Sequence, residues 1–548
     1  MFSEPSLHIF LQLSFENKWV DIQSGNIKAC ELNLHAYGFE GKAEFGLFSD
    51  NKKDELFTSF ITQDLIKVRI GIMRHGSAPR DYDAKRSEYD KNLPVDIVGY
   101  VTKKSVRESI YHDVKKDPVL KRHYEISFQD IPAVLWKQHF PVKLYTDKKM
   151  SEVIKDQKPK NIKFEVDDGI QETPMDMIFL GLEKRLYGPS FYDFFMWHAQ
   201  ENNIVLNYDY EDQTLKWFDK KPSPKPDDEV FLPNEVASLH TFFSETFRYN
   251  TRILNVHSKE EGKEIEIEND QAVDGIVQDI VMRTAIQKDL DDRKSLEAKR
   301  IENRLEKIKM VLNDFPTKRF GIGTMVKFEK EHWSKNNLLS KKNFRVFHIQ
   351  LSAHAQDQEL SAHYDAHFAA YDMNMVIEME LEDTPEIHLP RFKLPNYPLQ
   401  VEGKIVSESG ADDEKTYQFY TNEESSQEDY TVLVPFWDLE IKAPYVPGVF
   451  TGHFYFPAFK DARVLLDLYL DRAVIKGFLD WGEGSRLPMD TQGNHLLFGK
   501  TAQSQTSMKY LYTEDKPVFT IKRTSDTDTE MIQMEEESII IQTKDEED

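Results

Sequence analysis

The 548-residue sequence contains a single cysteine, Cys30. No intramolecular disulfide can form, which fits synthesis and assembly in a reducing cytoplasm. No apolar run approaches the roughly 18 residues that span a bilayer. The N-terminal "MFSEPSLHIFLQLSF" lacks a basic leading segment and a small-residue cleavage site, so no signal peptide is expected. Positive charge is also scarce: 70 Lys plus Arg face 95 Asp plus Glu, a formal net charge of −25, with no sustained basic patch. Such a field repels phosphate backbones, and nucleic acid is not an expected partner. What remains is 40% hydrophobic and 12% aromatic, ordinary for folded protein and too rich for a disordered chain. The length suits three or four domains at about 150 residues each.

Active-site signatures are missing too. There is no GxSxG, no Cys–His nucleophile pattern and no GxGxxG opening a helix. "GNHLLFGKT" looks like a phosphate loop, but five residues rather than four separate Gly493 from Gly499, and no apolar strand leads in. The most tempting cluster is "HYDAH". His363 and His367 stand at i, i+4 for a helix, and His363, Asp365 and His367 stand at i, i+2, i+4 for a strand. Either arrangement suits zinc, which makes a metal-dependent hydrolase the alternative from another class. The alternation in "FRVFHIQLSAH" argues strand instead, and no HExxH supplies a general base. The polar face of a strand pair is the preferred reading, with no metal and no cofactor.

Strand signals dominate what is there. "LHIFLQLSF", "KACELNLHAYGF", "KAEFGLF", "FTSFITQDLIKVRIGIM", "VDIVGYVTKKSV" and "RHYEISFQ" read as strands, and the polar "RHGSAPRDYDAKRSEYDKN" as a long loop. Met175, Ile178, Phe179 and Leu182 follow helical spacing, as does "PSFYDFFMWHAQEN". "IVLNYDY" and "TLKWFDK" then predict a hairpin. Residues 270–313 predict the longest helical stretch, with stripes Ile276, Val277, Ile280, Val281 and Ile301, Leu305, Ile308, Leu312, packed on a sheet. From 318 the pattern is β again, through "FGIGTMVKFEK", "NFRVFHIQLSAHAQ", "AHYDAHFAAYDM" and "NMVIEMELED". Within "FPAFKDARVLLDLYLDRAVIKGFLDW", two short apolar runs are separated only by "DRA". After residue 513 come "PVFTIKRT", "EMIQM" and "SIIIQTK", short strands with no large apolar partner left in the sequence.

Several of these segments, in order, resemble the VgrG family, the trimeric spike-hub of type VI secretion and a relative of contractile-phage hub and needle proteins. "PSFYDFFMWHAQENNIVLNYDYEDQTLKWFD" is similar to the family's helix-then-hairpin pattern, with Phe191, Phe194, Phe195, Ile204, Leu215 and Asp219 at comparable places and Trp197-His198 replacing its Arg-Leu pair. "FRVFHIQLSAH…HYDAHFAAYD" resembles its paired strands. On that resemblance His354, Tyr364 and Phe368 are structural barrel positions, and Ala366 stands where the family has Asn. Pro457, Val464, Leu466, Leu468, Asp471 and Gly477 follow the order of its OB-like barrel segment, with that segment's turn shortened to "DRA".

The resemblance implies a mainly β fold with an α+β hub portion: two hub β-barrels, an OB-like barrel and a short C-terminal trimeric β-prism spike. The expected domains are 1–170, a first hub barrel with a loop insertion, and 171–317, an α+β subdomain with a long helix, of which 236–267 is shared with the second barrel. They continue with 318–397, the second hub barrel, 398–485, the OB-like barrel, and 486–548, the spike and acidic tail. Val464, Leu466 and Leu468 are the expected OB-barrel core, and Ile539 and Ile541 the expected trimer core of the spike. The implied function is structural and non-enzymatic: a homotrimer, assembled in the cytoplasm, caps a hexameric inner tube and contacts baseplate components. It carries a tip protein and effectors, and is fired outward through a target membrane. A phage-tail or extracellular injection particle is the rival setting for the same architecture.

Overall fold

The structure, a computed structural model, describes residues 6–49, 54, 56–74, 93–111, 119–170, 172–184, 188–222, 229–231, 233–257, 263–301, 306–316, 321–328, 339, 342–410, 416, 418–422, 428–444, 456–482, 484–501 and 503–545. The "RHGSAPRDYDAKRSEYDKN" loop, beyond its first residue, lies outside the described residues. The chain divides into two compact units. One comprises 1–140, 154–171 and 184–395, and the other 141–153, 172–183 and 396–548.

The first unit is built on a circuit of antiparallel strands. Ser6–Phe15 pairs with Lys67–Arg74, which pairs with Val95–Tyr111, then Val119–Gln129, Gly38–Ser49, Ile27–His35, Asn343–Ala355 and Ala369–Leu381. The last returns to the first through Leu7↔Ala369, so the circuit closes. Closure hides strand edges, and alternation places one side of each strand inside. Ile9, Leu11, Leu13, Leu32, Phe45, Ile70, Ile126 and Leu351 accordingly lose nearly all their exposure.

The stretches expected as two separate barrels therefore share a sheet. The hairpin of Asn343–Ala355 and Ala369–Leu381 completes the first circuit at one end. At its other end it takes on Met325–Phe328, Glu306–Leu312 and, beyond that, Val236–Phe243. A strand of 13 residues is long enough to belong to both.

Against the Asp130-capped helix Ile131–Trp136 packs the helix Phe191–Glu201. Ser190 and Asp193 form a reciprocal capping box at its start. Phe191, Phe194 and Phe195 are buried, and Trp136 packs against Phe191 and Phe195. The predicted hairpin follows as Val205–Asp209 and Thr214–Phe218. Ile204 and Leu215 are buried, whereas Asp219 sits at the surface, 3.4 Å from Lys299.

Two helical expectations and one strand expectation need correction. Met175–Gly181 is a strand, paired with Val142–Lys148. Its residues 177–181 are all buried, so the apolar run has no solvent face to set a period. Among the described residues of the predicted 270–313 helix, only Gln287–Ile301 is helical. It packs on a small sheet through Ile253, Ile267, Leu290 and Ile301, which is the helix-on-sheet arrangement, but with the charged segment as the helix. Ile280 and Val281 belong to the strand Val277–Met282, and Ile308 and Leu312 to the strand Glu306–Leu312; Leu305 lies outside the described residues. Conversely, "LFTSF" at 56–60 is a short helix rather than part of a strand.

In the second unit, Leu399–Ile405 pairs with both Glu428–Val434 and Arg463–Leu468. Arg463–Leu468 then pairs with Ala473–Phe478, and Leu439–Pro444 lies on Glu428–Val434. The two apolar runs around "DRA" are thus a hairpin, turned by Tyr469 N–H donating to the Arg472 carbonyl. Leu144, Met177 and Phe179 enter the same core as Val432, Ile441, Val464, Leu466, Leu468 and Ile475. Gly403 is needed here: a Cβ would sit 2.5 Å from Val432 and 3.1 Å from the Leu466 side chain.

Candidate functional site

Beyond that core, five strands form an antiparallel meander: Gly493–Thr501, Ser504–Thr513, Lys516–Thr524, Asp528–Glu535 and Ser538–Asp545. The phosphate-loop lookalike is the first of them, with Gly499 at a register irregularity. Short turns join the strands. Glu514 and Asp515 both adopt positive φ, 51° and 63°, the combination of a two-residue turn whose twist matches the flanking strands.

Register across these strands decides what the sheet presents. Leu496 lies opposite Met508, Met508 opposite Ile521, Ile521 opposite Ile532, and Ile532 opposite Ile541. One apolar row therefore crosses the whole sheet on a single face. The adjacent row on that face runs Asn494, Tyr510, Phe519, Met534, Ile539. A third carries Phe498 and Thr506, then Arg523 bonded to Glu530 at 2.6 Å, then Thr543. The opposite face carries His495, Lys509, Thr520 and Gln533 with Ile540. There His495 Nδ1 meets the Ser485 carbonyl at 2.8 Å, and burial pulls its pKa down against that hydrogen bond.

Strand alternation places Ile539 and Ile541 on the apolar face and Ile540 on the other. Ile539 is 68% and Ile541 76% exposed, and Tyr510, Leu496, Phe498, Ile532 and Met534 are also exposed. Most soluble monomers do not leave a contiguous apolar surface of this kind open. The row members Leu496, Met508, Ile521 and Ile532 were not singled out in the sequence. Each strand's alternation is visible there, but only the turn lengths align the strands into rows.

Val464, Leu466 and Leu468 are fully buried, facing the common core of the second unit. His363, Asp365 and His367 fall in neither a helix nor a strand. Residues 360–365 are turns, His363 and Asp365 have positive φ, and the strand begins only at Ala369. The three share no face, which removes the spacing argument for zinc. Asp365 instead accepts from Asn26 Nδ2 at 2.9 Å, and its own N–H donates to Asn26 Oδ1. The His367 carbonyl meets His8 Nδ1. Among the described residues no three His, Cys, Asp or Glu side chains converge as a metal site. His354 is exposed on its strand, Tyr364 packs on Phe48 with ring centroids 4.9 Å apart, and Phe368 is exposed.

No family model and no curated protein matches this chain. Solved structures do. A chain of the half-lidded Francisella PdpA–VgrG complex aligns over 99% of this chain and 88% of its own length, with 14% identity and a TM-score of 0.75. This chain has the fold of a PdpA–VgrG complex subunit. Chains of the lidded and lidless forms of that complex agree, with TM-scores of 0.73 and 0.70, each at 15% identity over 99% of this chain. They cover 80% and 99% of their own lengths. Mainly β architecture is therefore common to all four chains.

Proposed function

We propose that this chain is a structural hub-and-spike subunit of a type VI-like contractile injection machine, without catalytic activity of its own. The observation that carries the reading is the apolar row Leu496–Met508–Ile521–Ile532–Ile541 across a five-stranded sheet, with Leu496, Ile532 and Ile541 exposed and Met508 and Ile521 half-buried. Three copies of that face around a threefold axis bury one another's rows and form a closed β-prism, which also covers the end strands' edges. The likeness in fold to chains of the PdpA–VgrG complex supports the same role. On this reading the strand circuit is the hub that meets a hexameric inner tube and baseplate components. The prism carries a tip protein and effectors, is assembled in the cytoplasm, and crosses a target membrane on firing.

Cysteine cross-linking tests the threefold face directly. Cys30 is buried and its thiol is pushed up to about 12 by burial, so it contributes little background. In Ile541→Cys, mild oxidation is expected to join chains into covalent dimers, because three thiols meet near one axis. Chains that stay single under conditions that oxidise a control thiol contradict the proposal.

A further inference from the structure

The first unit contains a cleft of about 510 Å³ among the hub strands, within the usual range for small-molecule sites. Leu34, Ile97, Leu206 and Met325 line it with apolar surface. Two deeply buried polar side chains also line it without complete partners. Tyr208 is 2% exposed, and its hydroxyl has no hydrogen-bond partner. Arg345 is 9% exposed; Nη1 donates to the Pro222 carbonyl at 2.6 Å, but Nε bonds nothing.

The neighbouring carboxylate is already committed. Glu380 lies opposite Arg345 in the strand register, yet one oxygen takes Lys221 and the other takes His388 Nε2 at 2.8 Å. Asp96 and Asp209 on the lining are likewise paired, with Arg69 and Lys216. A buried guanidinium without a bonded carboxylate, lining the same cleft as an unpartnered phenol, is costly unless something arrives to satisfy both.

We propose that this cleft binds a small organic anion, its carboxylate or phosphate group taken by Arg345 and Tyr208 and its apolar body lying along Leu34, Ile97, Leu206 and Met325. The planar guanidinium suits either acid group. Burial holds Arg345 and Lys221 below their ordinary pKa values, a penalty that an incoming anion relieves. The site is independent of the C-terminal sheet, so it stands or falls apart from the trimer.

Calorimetric titration of the full chain with benzoate, and separately with inorganic phosphate, tests this and distinguishes the two acid groups. Saturable binding of at least one probe is expected, one per chain, with Kd below about 1 mM. Arg345→Gln should abolish it. Should that variant fail to fold, Tyr208→Phe decides alone. It removes a hydroxyl that bonds nothing in the free protein, so its melting temperature should hold or rise, while binding weakens at least about fivefold. No saturable heat from either probe up to about 10 mM overturns the proposal. So does an affinity that Tyr208→Phe leaves unchanged.

Discussion

Leu466 has no exposed surface and touches both its strand neighbours and the hairpin partner Ile475 across the core of the second unit. Leu466→Ala should cost about 2–5 kcal/mol, the range for truncating a buried leucine. A melting curve identical to the parent's contradicts that placement. The histidine turn is expected to behave differently. Replacing His363 by Gln should leave folding nearly unchanged, because the contacts there run through Asp365 and the His363 carbonyl. Gly25→Ala should be the damaging change, since a Cβ would stand 1.9 Å from the His363 carbonyl oxygen. Circular dichroism melts of the two variants reverse this ranking if the turn has been misread.

Acid sensitivity also belongs to single residues. Burial holds His35 and His198 at about 4, below the ordinary 6.5. Between those values the unfolded chain takes up protons that the folded one refuses, so stability falls as pH drops from about 6.5 towards 4. Asp130 opposes this: buried, its carboxyl is pushed up to about 6, and the folded state holds that proton longer. Two histidines against one carboxylate should leave net acid destabilisation. His198 lies between Phe194 and Trp217, so His198→Phe keeps the packing and should reduce the loss of urea midpoint between pH 7 and pH 5. An unchanged loss contradicts the assignment.

At the scale of elements, the Glu514–Asp515 turn carries two left-handed residues, a conformation costing roughly 1–2 kcal/mol per ordinary side chain. Glu514→Asn with Asp515→Gly should raise stability by about 1 kcal/mol, since Asn-Gly suits this turn. A lower melting temperature would show a different turn. Strands with a wet face were legible in the sequence: "SIIIQTK" and "PVFTIKRT" alternate, and both are strands. The aromatic helix was legible from its helical spacing, and the structure starts it with the Ser190–Asp193 capping box. Met175–Gly181 was not, because burial on both faces erases the period that separates helix from strand. The charged Gln287–Ile301 lay inside the expected helix, but the apolar stripes meant to carry that helix are largely strands, and only Leu290, Glu297 and Ile301 of it are buried. Glu297 is held there by Arg293 and Arg300, a pairing no apolar stripe announces. The candidate face was half legible. Ile539 and Ile541 stood out, but the two rows they complete need a register set by turns.

For the whole molecule, the sheet face is the deciding surface. A fully buried isoleucine contributes roughly 1.5–3 kcal/mol, so in the proposed trimer Ile539 and Ile541 of three chains would supply about 9–18 kcal/mol before ordering entropy is subtracted. Ile541→Asp would gather three carboxylates on the axis, where burial and like charge both raise their pKa values. The tip should fray or the chains dissociate at neutral pH, with the hub still folded, and acidification should partly restore association by neutralising the new side chains. The most direct test is the mass of the intact protein in solution by light scattering at micromolar concentration. The chain is 64.2 kDa. Three copies, about three times that mass, are predicted for the parent sequence. A folded single-chain species that needs no partner would contradict the account.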